Sequence, residues 1–96
     1  MILKRVNIRV RGFVQGVFFR HGVKQEAERL NISGWVRNEP DGSVRVVAQG
    51  GENQLHKFIA WCRKGTERAH VSSVDVGRDK GTGEFEGFEI IEALCE

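Results

Sequence analysis

Arg5-Val6-Asn7-Ile8-Arg9-Val10-Arg11-Gly12-Phe13-Val14-Gln15-Gly16-Val17-Phe18-Phe19-Arg20 is the stretch on which the reading of this 96-residue chain turns. Val6, Ile8 and Val10 alternate with Arg5, Asn7, Arg9 and Arg11, the period-two pattern of a strand with one buried face, and the strand ends near Gly12. From about Arg20 to Leu30 the period changes. Val23, Ala27 and Leu30 fall at helical spacing while Lys24, Gln25, Glu28 and Arg29 face water, with Lys24 and Glu28 four apart on the outer face. A strand therefore passes through a loop with two glycines straight into an amphipathic helix.

Outward from that unit the pattern repeats. Asn31-Ile32-Ser33-Gly34 breaks the helix, and Trp35-Val36-Arg37-Asn38 resumes a strand that stops at the turn Pro40-Asp41-Gly42. Val44, Val46 and Ala48 continue beyond it, so a hairpin spans roughly Gly34 to Gln49. After Gly50-Gly51, Leu55, Phe58, Ile59 and Cys62 mark one face of a second helix that Gly65 ends. Val74 and Val76 suggest a fourth strand, Lys80-Gly81-Thr82-Gly83 a loop, and Phe88-Glu89-Ile90 a last strand. The order is βαββαβ. Its one-sided elements bury their apolar faces in a two-layer α+β sandwich, a largely antiparallel sheet with two helices on one face.

The composition fits one domain over residues 1–96. Hydrophobic residues make up 40% and charged residues 29% of the chain, the balance of a soluble globular protein. No apolar run approaches the length of a membrane span or opens the chain as a signal segment, so no membrane association and a cytoplasmic location are expected. A net charge of +2 is too small to argue for non-specific nucleic-acid binding. Cys62 and Cys95 lack the spacing of a redox pair or a zinc knuckle and read as two reduced thiols.

The loop from Gly12 to Arg20 carries the chemistry. The first N–H groups of a helix have no internal partner, the helix dipole is positive there, and glycine lets the main chain curl its N–H groups inward, so a phosphate is the natural guest. Arg20 adds a planar, permanently charged fork able to hold two phosphate oxygens. The loop matches neither the nucleotide P-loop, since no Gly-Lys-Ser/Thr follows, nor a G-x-G-x-x-G fingerprint. Phe18 and Phe19 read as core or loop-anchoring residues. His21, His56 and His70 have no metal-binding spacing, and no metal or cofactor is expected. All three read first as surface or packing residues, with tuning of the local field the alternative for His21 beside Arg20.

Gly12-x-Val14-Gln15-Gly16-Val17-x-Phe19-Arg20, followed by Gly34-Trp35-Val36-x-Asn38-x-x-Asp41-Gly42-x-Val44, resembles the paired signature of the acylphosphatase family. The similarity extends to Gln49-Gly50 and to Gly83-Glu84-Phe85-Glu86-Gly87-Phe88. It implies a ferredoxin-like fold and hydrolysis of the carboxyl-phosphate bond of acyl phosphates. It also implies a phosphate-binding loop of Gln15, Gly16, Val17, Phe18, Phe19 and Arg20, acting through main-chain N–H groups and the arginine. Asn38 would hold the attacking water. Arg20 and Asn38 are thus the catalytic candidates, with a small acyl phosphate as substrate and a monomer as the expected state. Asn38 suits the role, because an amide accepts and donates hydrogen bonds but is no base near neutral pH. Glu26, Glu28 and Asp41 are carboxylates of a helix face or a turn, and no protein base is assigned.

Two departures from the family pattern stand out, Gly65-Thr66 where many members have glycine then proline, and Arg45 where an acidic residue is frequent. Neither is expected to touch the site. An RNA-recognition module shares the element order, but Arg11-Gly12-Phe13-Val14 ends the first strand, whereas such modules stack bases on aromatics of the third, and Val44 to Gln49 has none. A non-catalytic, anion-binding regulatory domain of the same fold is the other alternative.

Overall fold

Alternation along the first strand sets the layers. In the computed structural model, which describes residues 3–80 and 85–91, Val6, Ile8 and Val10 of β1 (Lys4–Phe13) are buried, while their neighbours face the open side of the sheet. The remaining elements are α1 (Phe19–Arg29), β2 (Ser33–Asn38), β3 (Val44–Gly50), α2 (Glu52–Lys64), β4 (His70–Lys80) and β5 (Phe88–Ile90). The first six reproduce the expected βαββαβ order, and β5 is the last strand expected at Phe88-Glu89-Ile90.

The sheet order is β4-β1-β3-β2-β5. Three of its four pairings are antiparallel, and β2 with β5 is parallel, Gly34 opposite Phe88 and Val36 opposite Ile90. Register puts Val6 opposite Ala48, Ile8 opposite Val46 and Val10 opposite Val44, so one apolar stripe crosses the strands. Against it lie Phe19, Val23 and Ala27 of α1 and Leu55, Phe58, Ile59 and Cys62 of α2, all buried. Burial among these groups pushes the Cys62 thiol up to about 12, so it stays protonated and inert near neutral pH. Cys95 lies outside the described residues, as do Gly81, Thr82 and Gly83 of the expected loop and Glu84. On α1 the ion pair joins Glu26 and Arg29 rather than Lys24 and Glu28, and the Arg29 bond lowers the Glu26 carboxyl from its ordinary range. Among the described residues no helix is long and apolar enough to cross a membrane.

Gly34 shows how tightly β2 meets β3. Its φ is +141°, and a Cβ there would lie 1.9 Å from the Val47 carbonyl oxygen. Both the steric overlap and the unfavourable dihedral oppose a side chain. Gly34→Ala is therefore expected to cost on the order of 2 kcal/mol and about 10 °C in Tm. An unchanged melting curve would contradict the packing described for this strand pair.

Candidate active site

The loop between β1 and α1 folds back on itself at two positive-φ residues, Gly16 at 75° and Phe18 at 61°. Glycine takes this conformation freely, but for phenylalanine it is strained. Phe18 is the N-cap of α1, and no side chain caps that helix end. Among the described residues, none of the loop's Gly16, Val17 or Phe18 N–H groups takes part in the turn and cap bonding of the backbone. A cavity of about 200 Å³ opens at this point, lined by Gly16, Phe18, Phe19, Arg20 and His21. A loop with unbonded main-chain donors, a helix N-terminus and an arginine thus border one small concavity, features that favour an anion.

The two phenylalanines part company. Phe19 is 1% exposed and stacks at 5.6 Å on Trp61, as expected of a core anchor. Phe18 is 70% exposed, so of its two readings, core or loop-anchoring, the core one fails. The cause is the left-handed backbone at the N-cap, which puts the side chain on the cavity rim instead of the sheet. Val17 is buried, so only its main chain is available to a ligand.

Gln15 points away from the cavity. Its Nε2 donates to the carbonyl oxygens of Glu39 and Ser43, 2.9 Å each, and so bolts the loop to the turn between β2 and β3. That turn is itself well fastened. The Glu39 N–H donates to Ser43 O, Gly42 N–H to Glu39 O, and the Ser43 amide and hydroxyl both donate to Asp41 Oδ1. The Ser43 bonds, with Arg9 and Arg11 nearby, hold the Asp41 carboxyl down at about 2. Asp41 is thus an ionised turn anchor and no proton carrier near neutral pH.

Asn38 precedes this turn. It falls in phase with Gly34 and Val36 on the buried side of β2 and pairs with Val44, which in turn pairs with Val10 near the exit of β1. Asn38 is therefore two strands, roughly 10 Å, from the strand that feeds the phosphate loop. It is not among the residues lining the Arg20 cavity, and Gln15 is the direct tie between its hairpin and the loop. Asn38 Oδ1 is buried and has no hydrogen-bond partner. A buried acceptor left unpaired is costly, and with almost no accessible surface this oxygen faces protein rather than solvent.

One sequence expectation about the departures is overturned. Thr66 touches the site, because its Oγ1 donates to the Val17 carbonyl oxygen at 3.0 Å. The contact spans 49 positions of sequence and arises because the exit of α2 packs on the start of α1. Arg45 lies on the open face of the sheet with Arg37, their guanidinium carbons 5.7 and 5.0 Å from the Trp35 ring. Among the described residues no three His, Cys, Asp or Glu side chains converge as a metal site would require.

Known proteins resemble the chain over most of its length. The sequence profile of the Acylphosphatase family matches residues 6–90. The chain is 45% identical over 87 residues to an acylphosphatase of Thiobacillus denitrificans, covering 91% of this chain and 96% of the relative. It is 49% identical over 89 residues to one of Aeropyrum pernix, covering 92% and 88%. The crystal structure of acylphosphatase from Bacillus subtilis superposes with a TM-score of 0.89 at 34% identity, covering 92% of this chain and 98% of that one. These relatives bear an enzyme's name, which disfavours the binding-only alternative. With the Gln15 to Arg20 loop and the Asn38 hairpin both in the matched region, the chain belongs to the acylphosphatase family.

Proposed function

We propose that this single domain hydrolyses acyl phosphates by direct attack of water on phosphorus, with Arg20 and the loop from Gln15 to Arg20 holding the phosphate and Asn38 holding the water. The observation that carries this mechanism is the pair of bonds from Gln15 to the Glu39 and Ser43 carbonyls, which ties the hairpin of Asn38 to the loop that leads to Arg20. A water held by the Asn38 side-chain amide keeps a lone pair free to approach phosphorus. Its oxygen forms the new P–O bond as the bond to the acyl oxygen breaks, and the carboxylate departs with the electron pair. The amide cannot accept the water's proton, which passes to an oxygen of the substrate. A loose transition state of this kind needs alignment and charge stabilisation rather than a protein nucleophile. Loop N–H groups and the Arg20 fork supply the charge stabilisation, and Gln15 keeps water and phosphate in fixed relation.

The domain acts on a small soluble substrate, and we infer a cytoplasmic monomer with no nucleic-acid partner. Purified protein incubated with acetyl phosphate, carbamoyl phosphate and an aromatic acyl phosphate should release inorganic phosphate from each, but not from a phosphate monoester, whose leaving group is far poorer. Equal or better turnover of the monoester would sink the reading.

The site neutralises charge with its own donors, so exhaustive chelation is expected to leave kcat and KM unchanged. Loss of turnover that returns specifically on adding Mg²⁺ or Zn²⁺ would show that the charge-stabilising groups named here are incomplete.

A further inference from the structure

We infer that Thr66 is a positioning residue of the phosphate site, its hydroxyl holding the Val17–Phe18 peptide so that the Phe18 N–H faces the cavity. The inference rests on the phosphate-binding role proposed for the loop. Three features carry it: the 3.0 Å bond from Thr66 Oγ1 to Val17 O, the left-handed φ of 61° at Phe18, and the cavity that Phe18 lines.

In a planar trans peptide the C=O and N–H point in opposite directions. Anchoring the Val17 carbonyl toward the exit of α2 therefore aims the Phe18 N–H the other way. Strain at Phe18 gives this anchor its purpose. Rotating that peptide by half a turn would take φ of Phe18 from 61° to about −120°, a comfortable value for phenylalanine. The same rotation would turn the N–H out of the phosphate position and put a carbonyl oxygen in its place. Thr66 opposes the rotation, because the flipped carbonyl loses its donor.

Thr66 is itself well fixed. Gly65, the C-cap of α2, bonds to the Trp61 carbonyl at 2.7 Å. A Cβ placed on Gly22 of α1 would lie 3.1 Å from the Thr66 methyl and under 3 Å from Trp61, so α2's exit sits directly on the first turns of α1. The β-branched side chain has its methyl beside Gly22 and its hydroxyl on Val17, a division that fixes its rotamer.

The test compares Thr66→Val, which keeps the branched shape and loses the donor, with Thr66→Ser, which keeps the donor. Flipping lowers the binding-competent fraction, and the apparent affinity falls by that fraction while the bound enzyme remains competent. Thr66→Val should therefore raise KM for an acyl phosphate and Kd for inorganic phosphate together, by roughly ten-fold, the weight of one neutral hydrogen bond, with kcat nearly kept. Thr66→Ser should stay near wild type. A purely structural role would move Tm and leave this split absent. Unchanged KM and Kd in Thr66→Val, or a fall in kcat alone, overturns the inference. Should that variant melt below assay temperature, phosphate titration of the wild type decides by amide NMR. The Phe18 N–H resonance is expected among the most strongly shifted, and an unmoved one overturns the proposal. A wild type that neither binds phosphate nor turns over acyl phosphates would instead bring down the reading of the site itself.

Discussion

Asn38→Ala should lower kcat by on the order of 10²-fold while leaving the affinity for inorganic phosphate nearly unchanged. The split follows from geometry. Phosphate binding is assigned to the Arg20 cavity, and Asn38 does not line it. Asn38 is proposed to contact the attacking water, whose bond to phosphorus exists only in the transition state, so its loss should appear in turnover rather than ground-state binding. The fold should tolerate the change, because Oδ1 has no protein partner to be abandoned and the turn is held by Gln15, Ser43 and Asp41. Circular dichroism and a thermal melt establish that first. A well-folded variant with wild-type kcat would remove Asn38 from the mechanism.

Arg20→Lys should be nearly as damaging as Arg20→Ala, both losing on the order of 10²- to 10³-fold in kcat/KM. Lysine keeps the charge, but it is a single point on a flexible stem, whereas the guanidinium offers parallel N–H donors to two oxygens at once. Arg20 lies in the first turn of α1, where the chain rises from the strained Phe18, so its reach to the cavity is set by backbone geometry that a lysine head cannot use in the same way. Inorganic phosphate should bind more weakly to both variants. Near wild-type kinetics for Arg20→Lys would mean that diffuse positive charge is enough and that the two-point grip is wrong.

Much of the frame was legible because burial imposes a period. Val6, Ile8 and Val10 declare the core face of β1, and Val44, Val46 and Ala48 meet them in register as the alternation requires. Asn38 is reached through the resemblance instead, and the structure sets it in phase with Gly34 and Val36 on β2. What escaped the sequence depends on backbone conformation and distant contacts. Phe18 has the apolar character of a core residue, yet a φ of 61° exposes it, and no composition signal distinguishes it from Phe19. Gln15 sits within the phosphate-loop motif, but its side chain is committed to Glu39 and Ser43. Thr66 read as a harmless departure because its partner, Val17, is 49 positions away and becomes a neighbour only when α2 packs on α1. The parallel pairing of β5 with β2 rests on three residues, too few for alternation to reveal the partner strand or its direction.

In the proposed mechanism a water held by Asn38 attacks phosphorus. Hydrolysis of an acyl phosphate in ¹⁸O-labelled water, with the products resolved by mass spectrometry and the uncatalysed background subtracted, tests it most directly. Attack on phosphorus puts the heavy oxygen into inorganic phosphate and leaves the carboxylate unlabelled. Label in the carboxylate would mean that water adds to the carbonyl carbon instead, and that the phosphate loop, Arg20 and Asn38 do not act as described.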